Sequence, residues 1–309
     1  MLLIVARLLQ YSGALVLLGS ALFCMYGSGD GELLLPQIQR RQWPRRILVI
    51  AALSAMAGTV LWVMAETVLF SGEPADGTDP AAVWVVFSET RFGRVCLLRL
   101  GLLFISLVAS GVIVRRNVLL GTQAVLASVI LATFAWTGHG AMTAGWPGAI
   151  HLGGDLVHLW AAGVWIGALP PLIILIWQAH RSRFPGDARA AQRGLEWFSA
   201  IGSAVVAALI VSGLINSWFL IGVANSRAVS GTSYGRTLLV KLGLFAVMLV
   251  LAAANRFWLT PRLRTSQSTD TLAALHALRL SVVAETATAV LVLGVIGVLG
   301  TLAPPISGE

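Results

Sequence analysis

The sequence has few charged residues: they make up 11% of its 309 residues, where a soluble domain has about 25%. Hydrophobic residues make up 57%, and the mean hydropathy is +0.85. This scarcity of charge excludes a water-soluble globule, a disordered chain and a coiled coil. Two cysteines are too few for a disulfide scaffold. The composition indicates a protein that crosses a membrane several times.

Lysine is nearly absent, since Lys241 is the single one among 21 basic residues. The net charge of +8 would suggest a nucleic-acid partner in a soluble protein. Here, however, the arginines lie in short clusters between apolar segments, as in the cytoplasmic loops of membrane proteins. We therefore expect a lipid bilayer around the protein and no nucleic acid.

Eight apolar segments are long enough to cross a bilayer, which takes about 20 residues of helix. Their apolar runs are continuous and do not alternate as the strands of a membrane barrel do. The sequence thus predicts an all-α bundle of eight transmembrane helices in a single domain over residues 1–309, with short connections. The predicted spans lie near 2–24, 47–69, 94–114, 118–138, 152–177, 195–222, 236–259 and 276–302.

The arginines orient this bundle. The connections after the first, third, fifth and seventh spans are rich in arginine, whereas the alternate connections have few. Positively charged loops stay in the cytoplasm. Odd-numbered spans are therefore predicted to run from outside to inside, with both termini in the periplasm.

Ionisable residues inside apolar spans are costly, so each is a candidate functional residue. The richest group lies at the start of the fifth span, where His151, Asp155 and His158 occupy positions i, i+4 and i+7. That spacing puts all three on one stripe, which descends about 10 Å from the outer surface. His139 closes the fourth span on the same side, and Met142 lies in the loop between.

Imidazole nitrogens and a thioether sulfur suit copper, Cu(I) especially, better than magnesium or calcium. We therefore predict a copper site formed by His139, His151 and His158 with Met142. Asp155 either ligates the metal or holds a histidine ring in one tautomer. Two alternatives use the same residues: plain hydrogen bonding between helices, or a b-type haem held by two histidines on facing helices.

Three more charged side chains lie within the spans. Glu66 is near the outer end of the second span, Lys241 lies inside the seventh, and Glu285 is near the middle of the eighth. Either Lys241 and Glu285 form an ion pair that makes both tolerable, or Glu285 passes a cation or a proton inward. Asn216 and Asn255 are expected to form hydrogen bonds between helices.

Two further features concern the inner ends and the fifth span. Soft-metal ligands are scattered over the inner ends of three spans, and they could receive copper there: Cys24, Met25, His180 and His276. The many small residues of the fifth span predict a central helix that packs closely. Pro170 and Pro171 are predicted to kink its inner part.

Six tracts match a known family in order and spacing. They are HLWAAGVWIGAL from His158, GLIN from Gly213, YGRTLLVKLGL from Tyr234, NRFWLTPRL from Asn255, RLSVVAE from Arg279 and LGTLAPP ending at Pro305. In these tracts the chain resembles the copper resistance protein D (CopD) family. The resemblance implies that Lys241, Asn255, Arg279 and Glu285 are among the polar signature positions of the family.

The same resemblance implies a multi-pass protein of the bacterial inner membrane that handles copper beside a periplasmic copper carrier of the CopC type. The expected activity is movement of copper from the periplasm towards the cytoplasm, without catalysis. Two alternatives stay open. One is a haem-binding membrane redox protein, and the other is a membrane partner of the carrier that passes no metal.

Overall fold

The computed structural model describes residues 1–26, 42–137, 145–181, 185–222, 231–265 and 268–303. Within these ranges all regular secondary structure is helical, without a strand. Eight helical segments are long and apolar enough to cross a membrane, and they coincide with the eight predicted spans. The predicted all-α transmembrane architecture is confirmed.

Eleven α-helices make up the described residues, together with a 3-10 turn at Pro74–Gly77 and a π-helical turn at Asn255–Leu259. The sixth and seventh helices together form the fifth span, and the short third and tenth helices do not cross by themselves. The helices are α1 (Leu2–Tyr26), α2 (Trp43–Ser71), α3 (Pro80–Glu89), α4 (Arg91–Val112), α5 (Arg116–Thr137), α6 (Gly145–Ile166), α7 (Leu169–Arg181), α8 (Pro185–Ile221), α9 (Ser233–Ala254), α10 (Thr260–Thr265) and α11 (Ser268–Leu299).

The fifth span is broken where the prolines predict a kink. Helix α6 ends at Ile166, and α7 begins at Leu169 after a two-residue turn. Pro170 and Pro171 therefore occupy the first turn of α7, where backbone N–H groups have no partner within the helix and their loss costs little. The break lets α7 take its own direction against α8 and α11, which it contacts.

Helix α1, not the fifth span, occupies the centre of the bundle. It packs against α2, α5, α6, α7 and α11, whereas α6 packs mainly against α1, α5 and α8. Gly19 of α1 lies directly against the backbone of Gly163 and Gly167, so that no side chain fits at this crossing. The small residues of the fifth span do permit a close approach, as predicted, and Gly19 is the glycine of α1 that meets them.

The bundle has two opposite faces that differ in charge. The N-terminal face is the side on which α1, α4, α6 and α9 begin. The arginine-rich face is the opposite side, where the described chain places its arginine cluster: Arg45, Arg46, Arg116 and Arg181.

The N-terminal half of the bundle (α1–α5) encloses a buried arginine. Arg99 of α4 is 0% exposed and does not extend to the surface as a long side chain could. Its Nε donates to Thr133 Oγ1 at 2.7 Å, and one terminal nitrogen donates to Gln10 Oε1 at 2.9 Å. The other terminal nitrogen donates to Thr137, and the guanidinium lies 3.8 Å from the centre of the Phe134 ring. These polar contacts tie α1, α4 and α5 together.

Candidate functional site

The predicted polar stripe of α6 faces α8. At its upper end, the buried His151 ring stacks on Phe219 with the centroids 4.8 Å apart and the planes within 10° of parallel. This contact holds the imidazole in one orientation at the interface between the two helices, close to the N-terminal face.

One turn deeper, Asp155 makes a hydrogen bond to the side chain of Asn216 on α8. The helices approach closely here because the facing residue is Gly154: a Cβ atom on it would lie 2.9 Å from Asn216 Oδ1. That buried Oδ1 has no hydrogen-bond partner among the described residues. The interface therefore contains one carboxylate and one amide oxygen with spare capacity to accept.

His158 completes the stripe, and its hydrogen bonds assign its tautomer. Nδ1 lies 3.0 Å from Ser212 Oγ, and the hydroxyl proton of Ser212 is already donated to the carbonyl of Ala208. His158 also makes a hydrogen bond to the backbone of Leu209. This pattern favours the tautomer with the proton on Nδ1, which leaves the lone pair of Nε2 for a metal ion.

The three contacts follow one register along antiparallel helices. His151, Asp155 and His158 run down α6, and their respective partners run up α8: Phe219, Asn216 and Ser212. The partners are themselves spaced by three and four residues, which puts them on one face of α8. Sequence reasoning identified the α6 stripe and missed the α8 stripe, although the same spacing rule would have revealed it.

Helix α8 also bears on the haem alternative, because Pro185–Ile221 contains no histidine. A haem with two axial histidines would therefore take its second ligand from a helix other than α8.

Lys241 of α9 lies in the electrostatic neighbourhood of this stripe. It interacts with Asp155 and with His158, and Tyr234 from the start of α9 also interacts with Asp155. The only lysine of the chain therefore accompanies the only carboxylate of the stripe. The two opposite charges make each other tolerable within an apolar bundle.

Glu285 of α11 accepts hydrogen bonds from two side chains, and neither of them is Lys241. It is 0% exposed; Oε1 accepts from Trp165 Nε1 at 2.6 Å, and Oε2 accepts from Asn255 Nδ2 at 3.0 Å. Among the described residues no ion pair joins Lys241 and Glu285, since each has its partners elsewhere. The prediction that Asn216 and Asn255 form hydrogen bonds between helices is confirmed.

A cavity of about 380 Å³ lies beside Glu285, between α8 and α9. Trp165 and Asn255, which hold the carboxylate, both line it, and most of its other walls are apolar. The π-helical turn begins at Asn255 and aims this side chain at α11. Such π turns occur often at functional sites.

Of the remaining predicted site residues, the structure describes only Glu66, which lies on another helix. His139 and Met142 lie outside the described residues. Glu66 accepts a hydrogen bond from Trp62 Nε1 at 2.9 Å within its own helix, α2. In the described ranges no three His, Cys, Asp or Glu side chains surround one point, so the full set of copper ligands stays a prediction.

These features define a class: a multi-pass, all-helical membrane protein whose intramembrane polar residues line the interfaces of α6 with α8, α9 and α11. Two family models match the chain. The model for the N-terminal domain of copper resistance protein D-like proteins matches residues 1–149, and the model for copper resistance protein D matches residues 192–299. No solved structure matches.

Known relatives complete the assignment. Copper resistance protein D of Pseudomonas syringae pv. tomato is 33% identical over 97% of this chain and 96% of its own length. Inner membrane protein YebZ of Escherichia coli (strain K12) is 26% identical over 85% of this chain and 86% of its own. Copper transport protein CutJ of Bacillus subtilis (strain 168) is 34% identical over half of this chain and 27% of its own. The chain belongs to the copper resistance protein D family, and it is a copper-related, multi-pass protein of the inner membrane.

Proposed function

We propose that the protein accepts copper at its N-terminal face from a periplasmic carrier of the CopC type and moves it towards the cytoplasm, acting as a permease rather than an enzyme. The observation that carries the proposal is the α6 stripe. Two histidines and a carboxylate share one helical face, and α8 holds them in register. Imidazole nitrogen is a ligand that copper prefers.

Capture begins with His151 and His158, and His139 and Met142 from the preceding segment complete the ligand set. An incoming copper ion competes with Lys241 for Asp155, because both are cations near one carboxylate. Binding copper therefore weakens the electrostatic interaction of Asp155 with Lys241. The exchange is balanced when Lys241 releases a proton as Cu(I) binds, because the ammonium otherwise loses its counter-charge within the bilayer.

The path continues along the same helical face. Trp165 lies seven residues beyond His158, close to two full turns, so it stands on the same stripe about 10 Å deeper. Its indole reaches Glu285, the next carboxylate in this direction. The stripe thus leads from the histidines of the N-terminal face to the buried carboxylate of α11, which supports a role of Glu285 in passing a cation or a proton.

The proposal is tested by copper uptake into proteoliposomes that contain the purified protein in one orientation. Copper presented at the N-terminal face, free or on a CopC-type carrier, should accumulate inside. His158→Ala should reduce the initial rate at least tenfold, and Gln178→Ala on α7, outside the stripe, should leave it unchanged. Uptake equal to that of empty liposomes would reject transport, and binding of the carrier without uptake would favour the docking partner.

Orientation is tested separately in cells. A reporter fused after Glu309 should read as periplasmic, and one inserted near Pro185 as cytoplasmic, because the arginine-rich connections face inward. The opposite signals would put the stripe on the wrong side for periplasmic capture.

A further inference from the structure

Two histidines that are far apart in sequence meet near the arginine-rich face. His180 lies in the last turn of α7, and His276 lies near the start of α11. The two helices pack against each other and bring the ring centroids to 6.3 Å, with the planes tilted by 50°. No other pair of histidine rings in the described chain is in ring contact.

This separation matches two imidazoles that share one metal ion. With nitrogen about 2.0 Å from the metal on each side, the ring centroids lie about 5–6.5 Å apart, and the upper end corresponds to near-linear coordination. The observed 6.3 Å therefore lies within the range that a shared ion requires.

The hydrogen bonding of His180 also points to a ligand. Its buried Nδ1 has no hydrogen-bond partner within the described residues. A buried polar atom without a partner is destabilising, and a bound ion would remove that cost by taking the nitrogen lone pair. His276 is exposed, so the ring that completes the pair is accessible to an arriving or leaving ion.

We infer that His180 and His276 form a second metal site, for Cu(I). Two ligands suit Cu(I), which accepts two-coordinate linear geometry, whereas zinc takes four in structural sites. Arg181, next in sequence to His180, carries a positive charge. A monovalent ion costs less beside this arginine than a divalent one.

The C-terminal end of α7 also favours a cation at this site. The C-terminus of a helix carries a partial negative charge, which favours a cation near its last turn, where His180 lies. The site thus stands at the far end of the fifth span from the α6 stripe. Its role as the exit of the copper path rests on the proposed function, but its existence rests on His180 and His276 alone.

The test is an anaerobic Cu(I) titration of the full-length protein in detergent, in competition with a chromophoric chelator. His180→Ala and His276→Ala should each weaken one class of site at least tenfold, and the double variant should be little worse, because ligands of one ion act as a unit. Gln178→Ala, two residues before His180, is the matched control and should bind like the unchanged protein. His276→Ala keeps the test valid if His180→Ala folds poorly, since His276 is exposed.

The two sites are told apart by stoichiometry. In a His151→Ala/His158→Ala background, one Cu(I) should still bind, X-ray absorption should show two nitrogen neighbours, and adding His276→Ala should abolish binding. Loss of all Cu(I) in that background, or undiminished binding in the His180/His276 double variant, would overturn this site while leaving the capture site standing. A Soret band in the purified protein that disappears with His276→Ala would assign the pair to haem and overturn it too.

Discussion

In the N-terminal half the most deeply buried charge is Arg99, whereas in the C-terminal half (α6–α11) it is Glu285, and both are 0% exposed. Arg99 uses four N–H groups, all directed at neutral oxygens of Gln10, Thr133 and Thr137. Glu285 accepts two hydrogen bonds, although an ionised carboxylate has about four acceptor positions. The arginine is nearly saturated by its neighbours, and the carboxylate has capacity left for a proton or a cation.

The spans also differ in how much of their surface they bury. In the spans of α1, α2 and α5 and in the fifth span, 44–56% of the most apolar segment is buried, whereas the share is 11% for the span of α8 and 6% for the span that begins with α9. The cavity between α8 and α9 reaches the partners of Glu285. We regard the N-terminal half, around its saturated charge, as the scaffold of the bundle. The spare capacity of Glu285 lies beside the two spans that bury the least of their surface.

The largest effect is expected in the scaffold. Arg99→Ala removes four hydrogen bonds and leaves a cavity against Phe134, so the free energy of unfolding should fall by about 3 kcal/mol or more. Thermal unfolding in detergent measures this loss, and Arg91→Ala, an exposed position on the same helix, is the control. Folded Arg99→Ala protein should still bind copper normally. A stable variant with weakened copper binding would place Arg99 in the functional region and remove the contrast between the halves.

The next effect concerns the stripe. His158→Ala should weaken copper binding by more than the roughly 10–100-fold typical for loss of an outer partner of a metal ligand. Adding His151→Ala should cost little more if both histidines ligate one ion. Copper competes with protons for imidazole nitrogen, so binding by the unchanged protein should weaken as the pH falls from about 7.5 to 5.5. Asp155→Asn should have a smaller effect if Asp155 only positions a ring. If the His151→Ala/His158→Ala variant bound copper as tightly as the unchanged protein, the stripe would serve only for hydrogen bonding between helices.

The smallest effect is expected at Glu285. Glu285→Gln keeps the shape of the side chain, but its amide N–H group would face one of the two donors, Trp165 or Asn255. The free energy of unfolding should therefore drop by about 1–2 kcal/mol. Lys241→Met should not restore it, because Lys241 interacts with Asp155. A double-mutant cycle of Lys241→Met and Asp155→Asn should instead show a coupling free energy between these two residues. If Lys241→Met substantially rescued the stability of Glu285→Gln, that result would support the ion pair between Lys241 and Glu285 that the sequence allowed. A stable Glu285→Gln protein without uptake would identify the carboxylate as part of the path.

Much of the candidate site follows from local rules. The spacing of His151, Asp155 and His158 defines a stripe on any helix, and the stripe is found facing a neighbouring helix. Asn216 and Asn255 are polar residues in apolar spans, so they need partners on other helices. Their particular partners, Asp155 and Glu285, do not follow, because pairing depends on how distant segments cross.

The sequence by itself determined the membrane class, the eight spans, the stripe of α6 and the family, because hydrophobic length and helical period are properties of contiguous segments. Only the tertiary structure decided that Lys241 accompanies Asp155 rather than Glu285, and that His180 lies beside His276. It also decided that α1 is central. Lipid surrounds every span with the same apolar environment, so hydropathy cannot distinguish neighbours. Close packing at glycines such as Gly19 and Gly154, together with matched polar side chains, selects which helices meet.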